Sequence, residues 1–466
     1  MQEIENIKYV FANLGINSAF LQHIKMEKGV LEQIEPEAGR AAERKSIIID
    51  FFRGIASTVG GKRARRLEKR WDFSADGAIT SLTSAIAGGK NIAVFTTKNG
   101  KLYVLSENAE VKFVYNPEEK LTEEELFFAE ENTARNIYTT PAIADINNDG
   151  KDEIIFGTDT GKVYALDLSG KLLWSYKAQD SVRSSVMIED INNDKKMKIV
   201  FGSNDGNLYA LNSKGKLLWK FKANSGIEAR PSLLRGKKQS QIIFGSNDGI
   251  IYSVDGKGKA LWQFKTDGKI TAAASTGKLY NDGEDYIVIG SFDSNIYALN
   301  ANGKLKWKYK TEGNIFSEAS LADINNDKKL EIIFGCCDDN IYALSCSGDR
   351  IWNYETDFWV VASPLAVDID NDGKLEIVAG SYDRSLYILD AEGTFLLNYM
   401  PGISSITQQS GYYDEPMTSQ PGVFYGKKLW SYKTDGMVVG IACMANKEKN
   451  IITGTDTGKI SSFILK

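Results

Sequence analysis

Histidine is almost missing from this chain: there is one, His23, in 466 residues. Its absence elsewhere excludes a His-based metal centre, a Ser-His-Asp triad and a Cys-His pair from residues 71–466. Cysteine is scarce as well, and four cysteines do not make a disulfide framework. No run approaches the roughly 18 apolar residues of a membrane span. The first residues, MQEIENIKYVFANLG, lack a basic n-region, an apolar h-region and a small-residue cleavage site, and so do not read as a secretory signal. Few cysteines and no signal together give the expectation of a cytoplasmic protein. The net charge is −5, so no whole-chain field draws the protein to nucleic acid or anionic lipid, and nucleic acid is not expected as a partner.

What the chain has in abundance is one phrase. It reads FGTDTGKVYALDLSGKLLWSY at Phe156–Tyr176, FGSNDGNLYALNSKGKLLWKF from Phe201 and FGSNDGIIYSVDGKGKALWQF from Phe244. Looser copies start at Gly290, Gly335 and Gly380, and a last one, GTDTGKISSFILK, starts at Gly454. Trp174, Trp219, Trp262, Trp307 and Trp352 are spaced 45, 43, 45 and 45 residues apart. A fixed period of that size signals a repeat architecture.

Residues 182–223 show what one repeat contains. Strand-forming runs at Val182–Ile188, Lys198–Ser203, Leu208–Asn212 and Lys216–Lys222 are separated by turns at Asp190–Asp194, Asn204–Gly206 and Ser213–Gly215. A four-stranded unit of this length is the size of a β-propeller blade, and one such sheet cannot bury both faces alone. The Trp is expected to wedge between neighbouring blades. The Gly that ends each second run (Gly157, Gly202, Gly245 and so on) is expected where inner strands crowd the axis.

Counting units gives eight. The first hairpin is Asn91–Val114, with Phe113 in the Trp slot. The eighth unit runs out before its outer strand, and Arg70-Trp71-Asp72-Phe73 supplies a matching one, so Trp71 is expected to close the ring and remove its free edges. The expected fold class is therefore all-β: an eight-bladed β-propeller of four-stranded antiparallel blades, with a small α-helical N-terminal extension. Residues 1–70 form that extension and its basic linker, and residues 71–466 form the propeller. Insertions interrupt the period at 118–135, where Thr122–Glu125 reads as a capping box, and at 400–423.

In the extension, Ile47, Ile48, Phe51, Phe52, Ile55 and Val59 share one helical face, and Gly60-Gly61 ends it before GKRARRLEKR. A helical cap on the propeller is the favoured reading. A partner-docking module and an interfacial membrane helix, over residues 45–70, are the alternatives.

The phrase YALDLSGKLLWSYK at Tyr164–Lys177 resembles the docking motif of pyrroloquinoline-quinone (PQQ)-type propeller repeats. That family spans quinoprotein dehydrogenases and a non-enzymatic propeller lipoprotein of the outer-membrane assembly machine. The resemblance covers roughly residues 71–466. It implies the fold and leaves the function open, because the same repeat serves enzymes and scaffolds.

A second resemblance overlaps it. Asp145, Asn147, Asp149 and Glu153 are spaced like the calcium loops of integrin-type FG-GAP repeats, with Lys151 offering its backbone carbonyl. Asp368, Asp370, Asp372, Lys374 and Glu376 form the fullest copy. Asp323, Asn325, Asp327 and Glu331 form a third, with Lys328 replacing the Gly. Oxygen ligands at positions 1, 3, 5, 7 and 9 can wrap a hard cation, so structural calcium is expected in these loops. Asp190–Lys198 departs from the pattern, because Lys198 would set an ammonium against the ion. Asx-turns without metal are the plainer alternative for all of them.

A quinoprotein dehydrogenase would need a central cofactor pocket, a catalytic carboxylate and often a vicinal disulfide. Cys336-Cys337 is vicinal, but it fills the slots held by Ser203-Asn204 and Ser246-Asn247 elsewhere, and reads as two reduced, partly buried thiols. The expectation is a non-catalytic scaffold that binds protein through residues 1–70 or the 400–423 loop, with no PQQ. The alternatives are a quinone-dependent dehydrogenase, and a sensor taking a small ligand or carbohydrate at the axial funnel. Trp359 and Tyr412-Tyr413 are the aromatics outside the repeat slots that such a sensor would use.

Overall fold

The computed structural model describes residues 67–117, 136–236, 239–391, 424–425, 427–444 and 449–465. The expected helices of residues 1–59, the expected helix at 118–135 and the 400–423 loop lie outside the described residues.

Alternation of apolar and polar residues in runs of five or six, cut by Asn-Asp-Gly and Ser-Lys-Gly turns, produces short antiparallel strands. They assemble into eight sheets. Blade 3 is representative: Met187–Glu189, Lys198–Gly202, Asn207–Asn212 and Leu217–Lys222 pair in sequence order, from inner strand to outer. The second and third strands are buried along nearly their whole length, whereas the outer strand alternates exposed and half-buried. That burial pattern fits a sheet covered on both faces, with only its rim in water.

The core lies between blades. Each of eight hydrophobic clusters joins two neighbours, as when Val200 and Leu208 of blade 3 meet Ile242, Phe244 and Tyr252 of blade 4. One cluster joins the last blade to the first through Ile452, Ile460, Leu82 and Phe95. The ring is therefore closed. Its last blade takes three strands from Val438–Met444, Asn450–Thr455 and Lys459–Leu465, and its outer strand from Leu67–Ser74. Within that pair Trp71 lies opposite Ser462 and Phe73 opposite Ile460.

The Trp works as expected, and its contact is specific. The Trp174 indole donates to the Ser213 carbonyl at 2.9 Å, in the turn between the third and outer strands of the next blade. Trp219, Trp262, Trp307 and Trp352 make the same bond to Gly256, Ala301, Cys346 and Ala391. Trp71 makes it to Glu107, so the closing contact repeats the others. The rings of Trp174, Trp219, Trp262 and Trp307 lie on a turn glycine: a Cβ on Gly215 would sit 2.7 Å from Trp174.

The strand-ending glycines are crowded too, from a different side than expected. They stand at or next to the end of the second strand in blades 2 to 8, not in the innermost one. A Cβ on Gly202 would meet Ile227 at 2.2 Å, and one on Gly245 would meet Ile270 at 2.2 Å. Those residues lead into the next blade, so the missing side chain admits a neighbour's Ile.

Candidate metal loops and a candidate docking face

The four acidic loops join the inner and second strands of blades 2, 3, 6 and 7. Their backbones match. The fourth and sixth residues are left-handed: Asn148 and Gly150, Asn193 and Lys195, Asn326 and Lys328, Asn371 and Gly373. Asn adopts this conformation readily, whereas Lys does so at some cost. The first Asp holds the turn. Asp368 accepts the Asp372 amide at 3.1 Å and the Gly373 amide at 3.1 Å, and Asp145, Asp190 and Asp323 do the same. The expected carbonyl ligands Lys151 and Lys374 donate their amides to Asp149 and Asp372.

The ninth residue distinguishes the loops. Glu153, Glu331 and Glu376 are buried, and each accepts the amide of the loop's second residue: Ile146 at 2.9 Å, Ile324 at 3.0 Å and Ile369 at 2.8 Å. Burial, reinforced by the loop aspartates, pushes Glu331 and Glu376 up to about 7, and Glu153 upward. At the third position Asn147 and Asn325 donate amide hydrogens to Glu153 and Glu331. Asp370 stands there in blade 7 instead. The oxygens of Asp368, Asp370 and Glu376 lie within 4.8 Å of one another. Three carboxylates so close repel unless a proton or a cation intervenes. In blade 3 the Lys198 ammonium supplies that charge itself, 3.2 Å from Asp194 Oδ1 and 3.2 Å from the Lys196 carbonyl. The donor set thus suits a hard cation in the Asp368 loop, is weaker in the Asp145 and Asp323 loops, and is self-neutralised in the Asp190 loop.

The opposite end of each blade carries the turn between its second and third strands. The second residue of that turn donates its amide to the segment leading into its own blade's inner strand, at 2.8–3.1 Å all round the ring: Lys98 to Ala78, Asp159 to Asn136, Asn204 to Ser181, Asn247 to Gly226, Phe292 to Lys269, Cys337 to Asn314, Tyr382 to Trp359, Asp456 to Met437. These paired positions form one face, and the face is lopsided. On blades 1 to 4 it offers mainly Lys98, Asn136, Asp159, Arg183, Asn204 and Asn247, with one aromatic, Tyr138, under the Arg183 guanidinium. From the turn of blade 5 to that of blade 7 it offers Phe292, Phe316, Cys337, Phe358, Trp359 and Tyr382. Phe292 and Phe316 meet at 4.3 Å, and Phe358 stacks on Trp359 at 5.2 Å. The stacked pair remains 44% and 42% exposed.

The same three turns break the repeat's own rules. Gly100, Gly161, Gly206, Gly249 and Gly458 take the left-handed fourth position elsewhere, whereas Ser294, Asp339 and Arg384 occupy it here. A side chain in that conformation costs roughly 1 kcal/mol relative to Gly. On the outer strand, Lys177, Lys222, Lys265, Lys310 and Lys433 reach a turn carbonyl, but blade 6 has Glu355 at this slot. Negative charge gathers as a result. Burial first, and then Asp338, Asp357 and Asp383, raises the Asp339 carboxyl. Of the expected site aromatics, Trp359 lies here and Tyr412-Tyr413 lies outside the described residues. The sequence reading missed Phe292, Phe316, Phe358, Tyr382 and the acids. The turns GSFDSN, GCCDDN and GSYDRS carried the signal of Phe292, Tyr382 and the turn acids, whereas Phe316, Asp357 and Phe358 lie outside them.

Cys336 and Cys337 are free thiols, the first buried and the second half-buried. Burial, reinforced by Asp338, pushes them up to about 12 and about 11. Thiols held that high are poor nucleophiles at neutral pH. Along the axis, cavities of 360 and 460 Å³ share Arg230, Glu318 and Ser363. Arg230 of blade 4 bonds Glu318, beside blade 6, at 2.6 Å across the channel.

The family model described as outer membrane protein assembly factor BamB matches residues 159–391. No curated protein matches the sequence. Among solved structures, BamB from Moraxella catarrhalis superposes with a TM-score of 0.57 at 16% identity, over 85% of this chain and 97% of that one. Sqt1 from Saccharomyces cerevisiae superposes with a TM-score of 0.62 at 11% identity, over 86% and 99%. Likeness at these identities is likeness of fold. With eight blades, the repeated Trp contact and a family match across half its length, this chain belongs to the BamB-type family of PQQ-like β-propeller repeat proteins.

Proposed function

We propose that this protein is a non-catalytic docking scaffold, and that the face of blades 5 to 7 is where it holds a protein partner. The observation that carries this reading is the coincidence of two departures on three consecutive blades. Aromatics, exposed at Phe358 and Trp359 and half-buried at Phe292, Phe316 and Tyr382, depart from the repeat, and strained side chains appear where it has Gly. Residues that cost stability and expose apolar surface are the mark of a recognition site. The name of the matched family, an assembly factor, accords with a role among proteins. Residues 1–70 and 400–423 remain further candidate contact elements. Affinity capture with the wild type and with Phe358→Ser/Trp359→Ser tests the reading. A partner retained by the wild type and lost by the double variant is expected. Equal recovery by both would overturn it. A dye-reduction assay with PQQ, calcium and a panel of alcohols and sugars is expected to stay silent.

In the same reading, calcium is structural and belongs first to the Asp368 loop. Calcium is expected to raise the melting temperature. Asp370→Ala with Asp372→Ala is expected to abolish most of that rise, and an unshifted melting curve would remove calcium from the account.

A further inference from the structure

We infer that the partner segment held by this face is basic: an extended stretch that places Arg or Lys beside apolar side chains. The inference rests on the docking reading above and adds the chemistry of the ligand.

Three observations point the same way. First, the apolar surface is set in negative charge. Asp338, Asp357 and Asp383 act electrostatically on Asp339; Lys269, Lys310, Arg384 and Lys433 serve the turns of blades 5 and 7, and the blade 6 turn has Glu355 in the Lys slot. Second, that charge is not internally balanced. Asp338 Oδ1, Asp339 Oδ1 and Asp383 Oδ1 are buried with no hydrogen-bond donor. The matching oxygens of Asp205 and Asp293 are satisfied by the Asn207 and Asn295 amides. Buried acceptors without donors are rare, and a carboxylate left so projects its field to the surface above it.

Third, the chain itself shows how aromatics on this face are covered. Arg183 lies over Tyr138 at 5.2 Å, and Lys269 lies over Phe292 at 4.6 Å. Among the described residues Phe358 and Trp359 stack on each other, and both stay exposed. A guanidinium laid on that pair would gain a cation–π contact and the field of four carboxylates together. Its apolar neighbours would cover the rest of the aromatic surface. An acidic segment would meet the same field as repulsion.

Fluorescence anisotropy with labelled (Arg-Leu)4, (Ser-Leu)4 and (Glu-Leu)4 peptides tests this on the full chain. The variants are Asp339→Asn/Asp357→Asn and Phe358→Ser/Trp359→Ser. Neither Asp339 nor Asp357 makes the Tyr contacts of Asp338 and Asp383, and Asn suits the left-handed position 339, so the charge variant is expected to fold. The wild type is expected to bind (Arg-Leu)4 at least about tenfold tighter than (Ser-Leu)4. Both variants should lose about tenfold or more, and added salt should weaken binding. Equal affinity for (Arg-Leu)4 and (Glu-Leu)4, or full affinity in the charge variant, would overturn the basic class. If (Ser-Leu)4 or (Glu-Leu)4 binds best and only Phe358→Ser/Trp359→Ser loses it, the docking face survives and the basic partner does not. If the aromatic variant binds every peptide like the wild type, the face itself is wrong.

Discussion

Glu376 shows how much one side chain's surroundings decide. It is 5% exposed, accepts the Ile369 amide and faces three aspartates, so it holds its proton up to about pH 7 against an ordinary 4.5. The folded state therefore binds that proton more tightly than the unfolded chain does. Its stabilising share is fully present below about pH 4.5 and is lost as pH rises through 7, a fall of about 3 kcal/mol for one such group. Without added cation, the melting temperature should drop between pH 5 and 8, and Glu376→Gln should flatten the drop. Calcium should oppose it, because the cation selects the ionised form. Melting curves across that range with chelator, with calcium and with the variant check this. Parallel curves for Glu376→Gln and wild type would contradict it. The spacing of acids along the sequence announced this loop. That its ninth residue is buried and already bonded to the backbone was not legible, because burial depends on the next strand's packing.

At the scale of the blade, the contact between one outer strand and the next turn is the unit of cohesion. Gly215 and Gly150 separate its two ingredients. Both are left-handed, at 73° and 82°. A Cβ at Gly150 meets nothing within 4 Å, whereas one at Gly215 runs into the Trp174 ring at 2.7 Å. Gly150→Ala should cost about 1 kcal/mol, from backbone strain alone. Gly215→Ala should cost roughly 2 kcal/mol more, because the Trp must give up its seat on the turn. Denaturant midpoints for the two variants measure the difference. The Trp spacing made the blades legible, and the copies in register made the turns legible. What the register could not show is that Phe316, which leads into blade 6, lies against Phe292 of the blade 5 turn, or that Phe358 and Trp359 follow beside blade 6. Each looks like a single deviation along the chain. They become one surface only when the ring sets neighbouring turns side by side.

At the scale of the whole molecule, stability depends on closure. Lys459–Leu465 would be a bare edge without Leu67–Ser74, and bare edges recruit other chains. Removing residues 1–74 should convert a monodisperse protein into aggregates by light scattering. Trp71→Ala should leave it folded but lower its melting temperature, since the strand pairing survives and only the bond to Glu107 and the ring's packing are lost. A monodisperse truncated chain would mean that the last blade stands on three strands.

That closure also sets a timetable. Asp72 and Ser461 are bonded across a sequence separation of 389 residues. On a ribosome adding about 5–20 residues per second, the first strand of the ring waits tens of seconds for its partner. Blades 1 to 7 can stack as they emerge, but the eighth cannot exist until Lys459–Leu465 has been made. Among the ring's strands, the one that seals it is thus the first to be synthesised and the last to be used. Until then the nascent ring carries an unpaired first strand and an unfinished last sheet, and whatever shields them belongs to its biology as much as the finished ring does.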